Sequence, residues 1–140
     1  MMGWDRQSQL FLIMIDVDDF KIVNDTYGHI EGDRSLQQIA KVLRKACGNR
    51  RCFLGRYGGD EFMIVYEKDA DLAAVGGLAE EIREGIAALN ASQLLKGRVS
   101  VSIGYVPYSL EYTSIQQFIE AADARMYAVK KLQKDDVVLS

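Results

Sequence analysis

The chain has 140 residues, of which 49% are hydrophobic and 26% charged, the balance of a globular protein with one domain and one core. Its net charge of -3 argues against a nucleic-acid binder, which usually carries a basic excess, and its longest apolar run, Leu10 to Ile15, is too short to cross a bilayer. Met1 to Gln9 lacks a basic region followed by an apolar stretch, so no secretion signal is expected in these residues. Two cysteines, Cys47 and Cys52, with one histidine, His29, are too few for a zinc site, so free thiols in a cytoplasmic protein are expected.

Hydrophobic patterning predicts a strand followed by helical segments in the first third of the chain. Leu10 to Asp16 is a short apolar run ended by an acid, which is typical of a buried strand. Helix-permissive residues follow, with turn formers towards His29. From Gly32 the apolar residues recur at helical spacing until Gly48-Asn49, which predicts a helix that stops there.

The remainder of the chain predicts a hairpin, two more helices and two more strands. Gly58-Gly59 separates two apolar runs and predicts a two-residue hairpin turn that tolerates positive φ. Gly76-Gly77 weakens the helix that follows the hairpin. The predicted elements are strands at Cys52–Tyr57 and Glu61–Tyr66, a helix over Leu72–Leu89, a strand at Arg98–Val106, a helix over Ile115–Val129 and a short closing strand at Asp136–Ser140.

This order predicts an α+β fold with a ferredoxin-like β-α-β-β-α-β core, in which helices pack on one face of an antiparallel sheet. One domain is expected to occupy residues 1–140. The first and third strands of such a core are neighbours, so Asp16 at the end of one lies beside Asp60 at the start of the other. Two adjacent carboxylates suit Mg²⁺, which takes its other ligands from water and phosphates. Metal-assisted nucleotide chemistry is the function that this arrangement favours.

Two blocks of the sequence resemble the GGDEF family, the diguanylate cyclases. The family signature stands unaltered as Gly58-Gly59-Asp60-Glu61-Phe62. The block "DVDDFKIVNDTYGHIEGD", Asp16 to Asp33, is similar at every position to the family's Asp-x-Asp-x-Phe-Lys-x-x-Asn-Asp-x-x-Gly-His-x-x-Gly-Asp. "SIGYV" (Ser102 to Val106) and "AADARMYAVK" (Ala121 to Lys130) resemble its later strand and last helix. The resemblance spans about Leu10 to Val138 and implies the nucleotide cyclase, palm-like form of the core.

The resemblance implies an enzyme that condenses two GTP into cyclic di-GMP with release of two pyrophosphates. Each domain of a dimer would hold one GTP, and the 3′-hydroxyl of each would attack the α-phosphate of the other. It also implies that Asp16 and Asp60 bind Mg²⁺ or Mn²⁺ with the backbone carbonyl of Val17, and that Asn24 and Asp33 bind guanine. A carboxylate accepts from both N1–H and N2–H of guanine, a pattern that adenine does not offer.

Phosphate contacts are implied for the last helix and for the segment after the first strand. Lys130 and Lys134 match the positions that grip the terminal phosphates, and their i,i+4 spacing puts them on one helix face. Lys21 and the backbone amides of Phe20 and Lys21 are further candidates, since amides at a helix start often bind phosphates. Glu61 is a catalytic candidate beside Asp60, for the metal or the 3′-hydroxyl.

Several nearby side chains have plainer interpretations. Asp18 and Asp19 are expected to cap a helix or face solvent. His29 is expected to fix a turn rather than act as a base, and Arg56 to form a sheet-edge or dimer contact.

The sequence departs from the family pattern in three places. The family's lead-in helix before the first strand is not matched, which leaves support of the core and control of dimerisation open. The Arg-x-x-Asp inhibitory product site is replaced by Asn49 and Cys52, so no product inhibition is expected there. The family's Gly-Lys/Arg-Asn motif is replaced by Gln133-Lys134-Asp135, which keeps the cation and loses the glycine.

Two other functions stay open beside the cyclase. One is a catalytically silent GTP-binding or protein-interaction module of the same fold, because fold alone does not fix function. The other is a different metal-dependent nucleotidyl transferase with a palm-like core. As a cyclase, the domain is expected to be a cytoplasmic signalling output that acts as a weak homodimer and is linked to an upstream sensor or regulatory domain.

Overall fold

The described part of the chain forms a four-stranded antiparallel sheet with four helices. The computed structural model describes the backbone of residues 9–139 and, outside residues 9, 68–69 and 133–139, their side chains. No helix in this part of the chain has the length and apolar character needed to span a membrane. The elements are β1 (Gln9–Val17), α1 (Phe20–Tyr27), α2 (His29–Cys47), β2 (Cys52–Arg56), β3 (Glu61–Ala70), α3 (Leu72–Ser92), β4 (Val101–Pro107) and α4 (Ile115–Leu139).

Most predicted elements are confirmed, and two predictions about local structure are wrong. The predicted closing strand at residues 136–140 does not form up to Leu139, because α4 continues to that residue. The hairpin link contains four residues rather than two, since β2 ends at Arg56 and β3 begins at Glu61. Neither Gly58 nor Gly59 has a positive φ; among the described glycines only Gly28 and Gly48 do.

The strands lie in the order β2-β3-β1-β4, with β1 and β3 in the centre as the sequence predicts. Asp16 of β1 is opposite Glu61 of β3 in the register, and the Val17 amide donates a hydrogen bond to the Asp60 carbonyl at 3.0 Å. The carboxyl end of β1 therefore meets the amino end of β3. This pairing brings the two predicted acidic positions together.

Helices cover both faces of the sheet, so the prediction that they pack on one face is wrong. The reason lies in β1, whose side chains are apolar at successive positions and must be buried on both sides. Phe11, Ile13 and Ile15 of β1 join the core cluster built with α2 and α3. Leu12 and Met14 join a second cluster with α4.

Gly104 sets the distance between α4 and the sheet. A Cβ atom at this position of β4 would lie 2.0 Å from the backbone nitrogen of Met126 and 2.4 Å from its Cα. The helix backbone therefore rests directly on the strand, which no side chain larger than hydrogen would permit. Lys130 follows Met126 by one helical turn, so this contact also fixes where Lys130 lies.

Candidate active site

An acidic cluster forms where β1 ends and β3 begins. Asp16 ion-pairs with Lys130 of α4 through Oδ2, and both side chains are largely buried, at 12% and 21% exposure. The other carboxylate oxygen, Asp16 Oδ1, is buried and has no hydrogen-bond partner among the described residues. Asp60 and Glu61 are half-buried at the facing end of β3. Lys130 thus faces the carboxylates of Asp16, Asp60 and Glu61.

The electrostatics of the cluster show an excess of negative charge. Burial raises the pKa of Asp16, and the charge of Asp60 adds to this, while the hydrogen bond with Lys130 opposes it. Burial also raises the pKa of Glu61, together with the charges of Asp16 and Asp123. Burial by itself would lower the pKa of Lys130, but the bond with Asp16 and the surrounding acids raise it. Added positive charge would relieve this repulsion.

The cluster fits a hard divalent cation held with few protein ligands. Asp16 Oδ1 is an oxygen donor with no other partner, and the backbones of Val17 and Asp60 are hydrogen-bonded to each other at the same sheet end. The described residues contain no set of three or more His, Cys, Asp or Glu side chains arranged as a complete metal cage. Mg²⁺ characteristically keeps several waters and binds through one or two carboxylates plus phosphates.

The turn from β1 into α1 is anchored to β4 by Asp18. Its carboxylate accepts hydrogen bonds from Ser100 Oγ at 2.7 Å and Ser102 Oγ at 2.6 Å. The expectation that Asp18 caps a helix or faces solvent is therefore wrong, because the antiparallel β1–β4 pairing brings two hydroxyls to it. Asp19 does occupy the N-cap position of α1, but its side chain makes no capping bond.

Asp19 adopts an unusual backbone conformation for a residue other than glycine. Its φ of 51° and ψ of 36° lie in the left-handed region. Its carbonyl accepts from the amides of Ile22 at 2.9 Å and Val23 at 3.3 Å. Such strain persists only where surrounding structure enforces it, and here the Asp18 bonds hold the turn. The turn presents Phe20 as the first residue of α1, where backbone amides have no partner within the helix.

Asn24 of α1 packs against Gly32, the residue before Asp33 in α2. A Cβ added to Gly32 would lie 1.8 Å from Asn24 Oδ1, so the Asn24 amide rests on the backbone next to Asp33. Gly28 makes this approach possible by turning the chain between the helices with φ 90° and ψ 165°, a conformation that glycine alone adopts readily. The Asn24 amide therefore lies beside the residue that precedes the exposed Asp33.

A cavity of about 590 Å³ connects Asp33 with the hairpin. Its walls come from α2 on one side and from β2 and the start of β3 on the other, and its size suits a nucleotide-sized ligand. The lining residues are Asp33, Leu36, Gln37, Ala40, Arg44, Leu54, Gly55, Arg56 and Phe62.

Arg56 holds the hairpin in shape. Its guanidinium donates to the carbonyl of Gly58 at 3.3 Å and to that of Gly59. The amides of Tyr57 and Gly58 both donate to the carbonyl of Glu61, at 2.9 and 3.3 Å. This clamp gives Arg56 a role within its own hairpin, in addition to lining the cavity.

The predicted phosphate-binding lysines differ in where they lie. Lys130 contacts the acidic cluster directly through Asp16. Lys21 is 88% exposed and pairs instead with Asp25 along α1, at 2.9 Å. The side chain of Lys134 lies outside the described residues. Asn49 is exposed beyond the end of α2, and Cys52 begins β2.

Sequence reasoning missed Asp123 and the anchoring role of Asp18. Asp123 precedes Lys130 by seven residues, so the two share a face of α4, and its charge acts on Glu61. The seven-residue spacing of Asp123 and Lys130 could have identified Asp123 from the sequence. The Asp18 bonds depend on a partner strand more than eighty residues away, which periodicity does not reveal.

Comparison with known proteins gives a consistent result. Residues 3–136 match the family model described as diguanylate cyclase, GGDEF domain. The chain is 34% identical over 139 residues to diguanylate cyclase A of Treponema denticola, with 97% of this chain and 36% of that protein covered. It is also 34% identical to diguanylate cyclase VdcA of Vibrio cholerae over 134 residues, with 93% of this chain and 39% of that protein covered. The chain therefore spans little more than a third of these relatives.

The fold agrees with a solved structure. The GGDEF domain of DgcB from Caulobacter crescentus, determined in complex with c-di-GMP, superimposes with a TM-score of 0.77 at 30% sequence identity. The match covers 89% of this chain and 73% of that one.

Proposed function

Because the chain belongs to the GGDEF family of diguanylate cyclase domains, we propose that it condenses two GTP molecules into cyclic di-GMP and releases two pyrophosphates. The observation that carries this proposal is the acidic cluster of Asp16, Asp60 and Glu61 at one sheet end, close to a cavity that Asp33 lines. Charge repulsion in that cluster and the unpartnered oxygen of Asp16 both destabilise the folded protein. A bound metal ion would reduce the repulsion and would give that oxygen a partner.

Asp16 and Asp60 would hold Mg²⁺, or Mn²⁺ in its place, with the backbone carbonyl of Val17. A bound ion of this kind supplies neutralisation of phosphate charge during transfer. Lys130 balances the Asp16 carboxylate in the protein alone. With nucleotide present, its ammonium group would turn to phosphate oxygens, together with that of Lys134 on the same helix.

Asn24 and Asp33 would select guanine. The Asp33 carboxylate accepts from both N1–H and N2–H, and the neighbouring Asn24 amide supplies a further hydrogen bond. An adenine base would place its N1 acceptor opposite this carboxylate, so the Asp33 oxygens would lose the hydrogen bonds that guanine donates. The chain should therefore use GTP and reject ATP.

The backbone amides at the start of α1, those of Phe20 and Lys21, would bind phosphate oxygens at the positive end of the helix dipole. Glu61 would accept the proton of the attacking 3′-hydroxyl at a carboxylate oxygen. Its pKa is raised by burial and by neighbouring acids, which makes it a stronger base than an exposed glutamate. Asp60 and Glu61 are thus the proposed catalytic pair.

One domain holds only half of the reaction, so two GTP-loaded copies must meet face to face with twofold symmetry. Asn49 and Cys52 lack the guanidinium and carboxylate needed to bind product at the family's inhibitory position, so product should not inhibit there. In its full context the domain would serve a cytoplasmic signalling protein with an upstream regulatory part.

The test is the dependence of cyclic di-GMP formation on protein concentration, with GTP and Mg²⁺ in excess. For a weak dimer the rate per domain rises with concentration, whereas a rate per domain that stays constant down to nanomolar protein would contradict transient pairing. A silent GTP-binding module would instead give no product while GTP and Mg²⁺ together still raise the melting temperature. Forced dimerisation through an added coiled coil separates that outcome from an active domain that pairs too weakly.

A further inference from the structure

Helix α1 buries little of its own surface. It has eight residues, none of which is buried, yet its first amides and Asn24 belong to the proposed GTP site. On one side it meets α2, where a Cβ at Gly32 would lie 1.8 Å from Asn24 Oδ1 and 3.2 Å from Phe20 Cζ. Helices in proteins are stabilised mainly by the apolar face that they bury, so α1 needs support from another part of the chain.

The loop between α3 and β4, residues 93–100, supports α1 at both ends. Before the helix begins, the Asp18 amide donates to the Ser100 carbonyl at 2.9 Å, and Ser100 Oγ donates to the Asp18 carboxylate at 2.7 Å. At the end of α1, Tyr27 packs on Gly97, because a Cβ added to Gly97 would lie 2.6 Å from Tyr27 Cε2. A cavity of about 340 Å³ lies between α1 and the loop, so the helix has room to shift when one of these contacts is lost.

Glu31 ties the same loop to the first turn of α2. Its side chain is only 5% exposed, and its Oε2 accepts a hydrogen bond from the Lys96 amide at 2.7 Å. Its Oε1 ion-pairs with Arg34 at 3.6 Å. A buried carboxylate destabilises the fold unless it is hydrogen-bonded, so this bond holds the loop on α2. Glu31 is followed directly by Gly32 and Asp33, where guanine is proposed to bind.

The loop is itself fixed to the core and can therefore act as a support. The Asn90 side-chain amide donates to the Val99 carbonyl at 2.8 Å, and its oxygen accepts from the Val99 amide at 2.9 Å. Leu95 and Val99 are buried members of the main core cluster. The end of α1 and the start of α2 thus rest on one anchored segment, through Tyr27 and Glu31.

We propose that Glu31 is a positioning residue for nucleotide binding: its bond to the loop sets the position of α2 relative to α1, and with it the distance between Asn24 and Asp33. The inference rests on the proposed binding of guanine by those two residues. Without the bond, α2 loses its link to the segment that also supports α1, and the two helices shift relative to each other. A guanine base then meets only one of the two side chains in good geometry. Affinity for the nucleotide and preference for guanine should therefore fall together.

The test is calorimetric binding of GDP and of inosine diphosphate in the presence of Mg²⁺. Neither diphosphate carries the pyrophosphate leaving group of GTP, so binding is measured without turnover. Inosine lacks the N2 amine of guanine, so the ratio of the two dissociation constants reports the hydrogen bond from that amine. The parent chain should bind GDP about tenfold more tightly than inosine diphosphate. In Glu31→Ala the dissociation constant of GDP should rise about tenfold and the ratio should fall towards one.

Three further variants separate positioning from general stability. Glu31→Gln keeps an oxygen acceptor for the Lys96 amide and should bind both nucleotides as the parent chain does. Tyr27→Ala removes the other contact with the loop and should repeat the Glu31→Ala result; its ring is 40% exposed, so this variant should fold. Val75→Ala opens a cavity in α3, which begins beyond the opposite end of β3 from Asp60. It should lower the melting temperature and leave both dissociation constants unchanged.

Glu31→Ala with a lower melting temperature but the parent's ratio of dissociation constants overturns the proposal, because it then resembles Val75→Ala. The proposal also fails if Glu31→Gln binds as weakly as Glu31→Ala, or if the parent chain does not distinguish the two bases. If Glu31→Ala does not fold, Tyr27→Ala decides in the same way. Cyclic di-GMP formation by the parent chain is measured separately. A parent chain that prefers GDP yet makes no product contradicts the proposed cyclase and not the role of Glu31, whereas product formation with unaltered binding by Glu31→Ala contradicts the role of Glu31 alone.

Discussion

Replacement of Gly104 by alanine tests how α4 is placed on the sheet. The new Cβ would lie 2.0 Å from the Met126 nitrogen, and non-bonded heavy atoms need about 3.5 Å, so α4 has to move away by about 1.5 Å. Overpacking of this kind costs about 1–3 kcal/mol, here against backbone that cannot rotate aside. At roughly 3–5 °C per kcal/mol for a domain of this size, Gly104→Ala should lower the melting temperature by about 3–15 °C.

The same shift should weaken activity, because Lys130 moves with α4 away from Asp16. A misplacement of about 1 Å near reacting groups costs roughly a hundredfold in rate. Urea unfolding and cyclic di-GMP formation measure the two effects. Gly76→Ala is the matched control, since its added Cβ meets nothing within 4 Å and alanine favours the interior of α3 by about 0.5–1 kcal/mol. Equal stability and activity for Gly104→Ala and Gly76→Ala would refute the close contact between α4 and β4.

Three further substitutions test the site and the turns around it. Lys130→Met leaves the Asp16 carboxylate without its cation and should lower the free energy of unfolding in urea by about 1–3 kcal/mol. Mg²⁺ alone should stabilise this variant more than the parent chain, because the lysine no longer competes for Asp16. An equal response of both proteins to Mg²⁺ would count against a metal at Asp16. Asp18→Asn weakens the charge-assisted bonds to two serine hydroxyls and should lower the free energy of unfolding by about 1–2 kcal/mol, a loss that an exposed, solvated aspartate would not show. Gly28→Ala should lower the free energy of unfolding by about 1–3 kcal/mol, because alanine is strained at the φ of 90° found there. Gly59→Ala, where the added Cβ also meets open space but φ is not positive, should change the free energy of unfolding little. Similar changes for both variants would contradict a strained turn at Gly28.

The sequence predicts most of the fold because β1 and the amphipathic helices carry strong periodic signals. The central position of β1 beside β3, and with it the meeting of Asp16 and Asp60, follows from topology alone. The packing of helices on both faces of the sheet could also be predicted from the sequence, since residues 11–15 are apolar at every position. The prediction of helices on one face came from the ferredoxin-like topology and did not take this apolar run into account.

Other features depend on tertiary contacts that no local pattern encodes. The hairpin was predicted as a two-residue turn because a glycine pair usually marks one, yet Arg56 holds a longer link through two carbonyls. Gly104 lies in an ordinary strand pattern, and only the approach of α4 explains it. The predicted closing strand failed because α4 continues to Leu139, and a short apolar segment suits either state.

The central claim is that this domain makes cyclic di-GMP with its own metal-binding carboxylates. It is tested most directly by mass-spectrometric product analysis after incubation of concentrated chain with GTP and Mg²⁺, beside Asp60→Ala under the same conditions. The account predicts cyclic di-GMP from the parent chain and none from Asp60→Ala, with both proteins folded by circular dichroism. Equal product from both proteins would contradict the role of Asp60, and no product from a parent chain held as a dimer would contradict the cyclase itself.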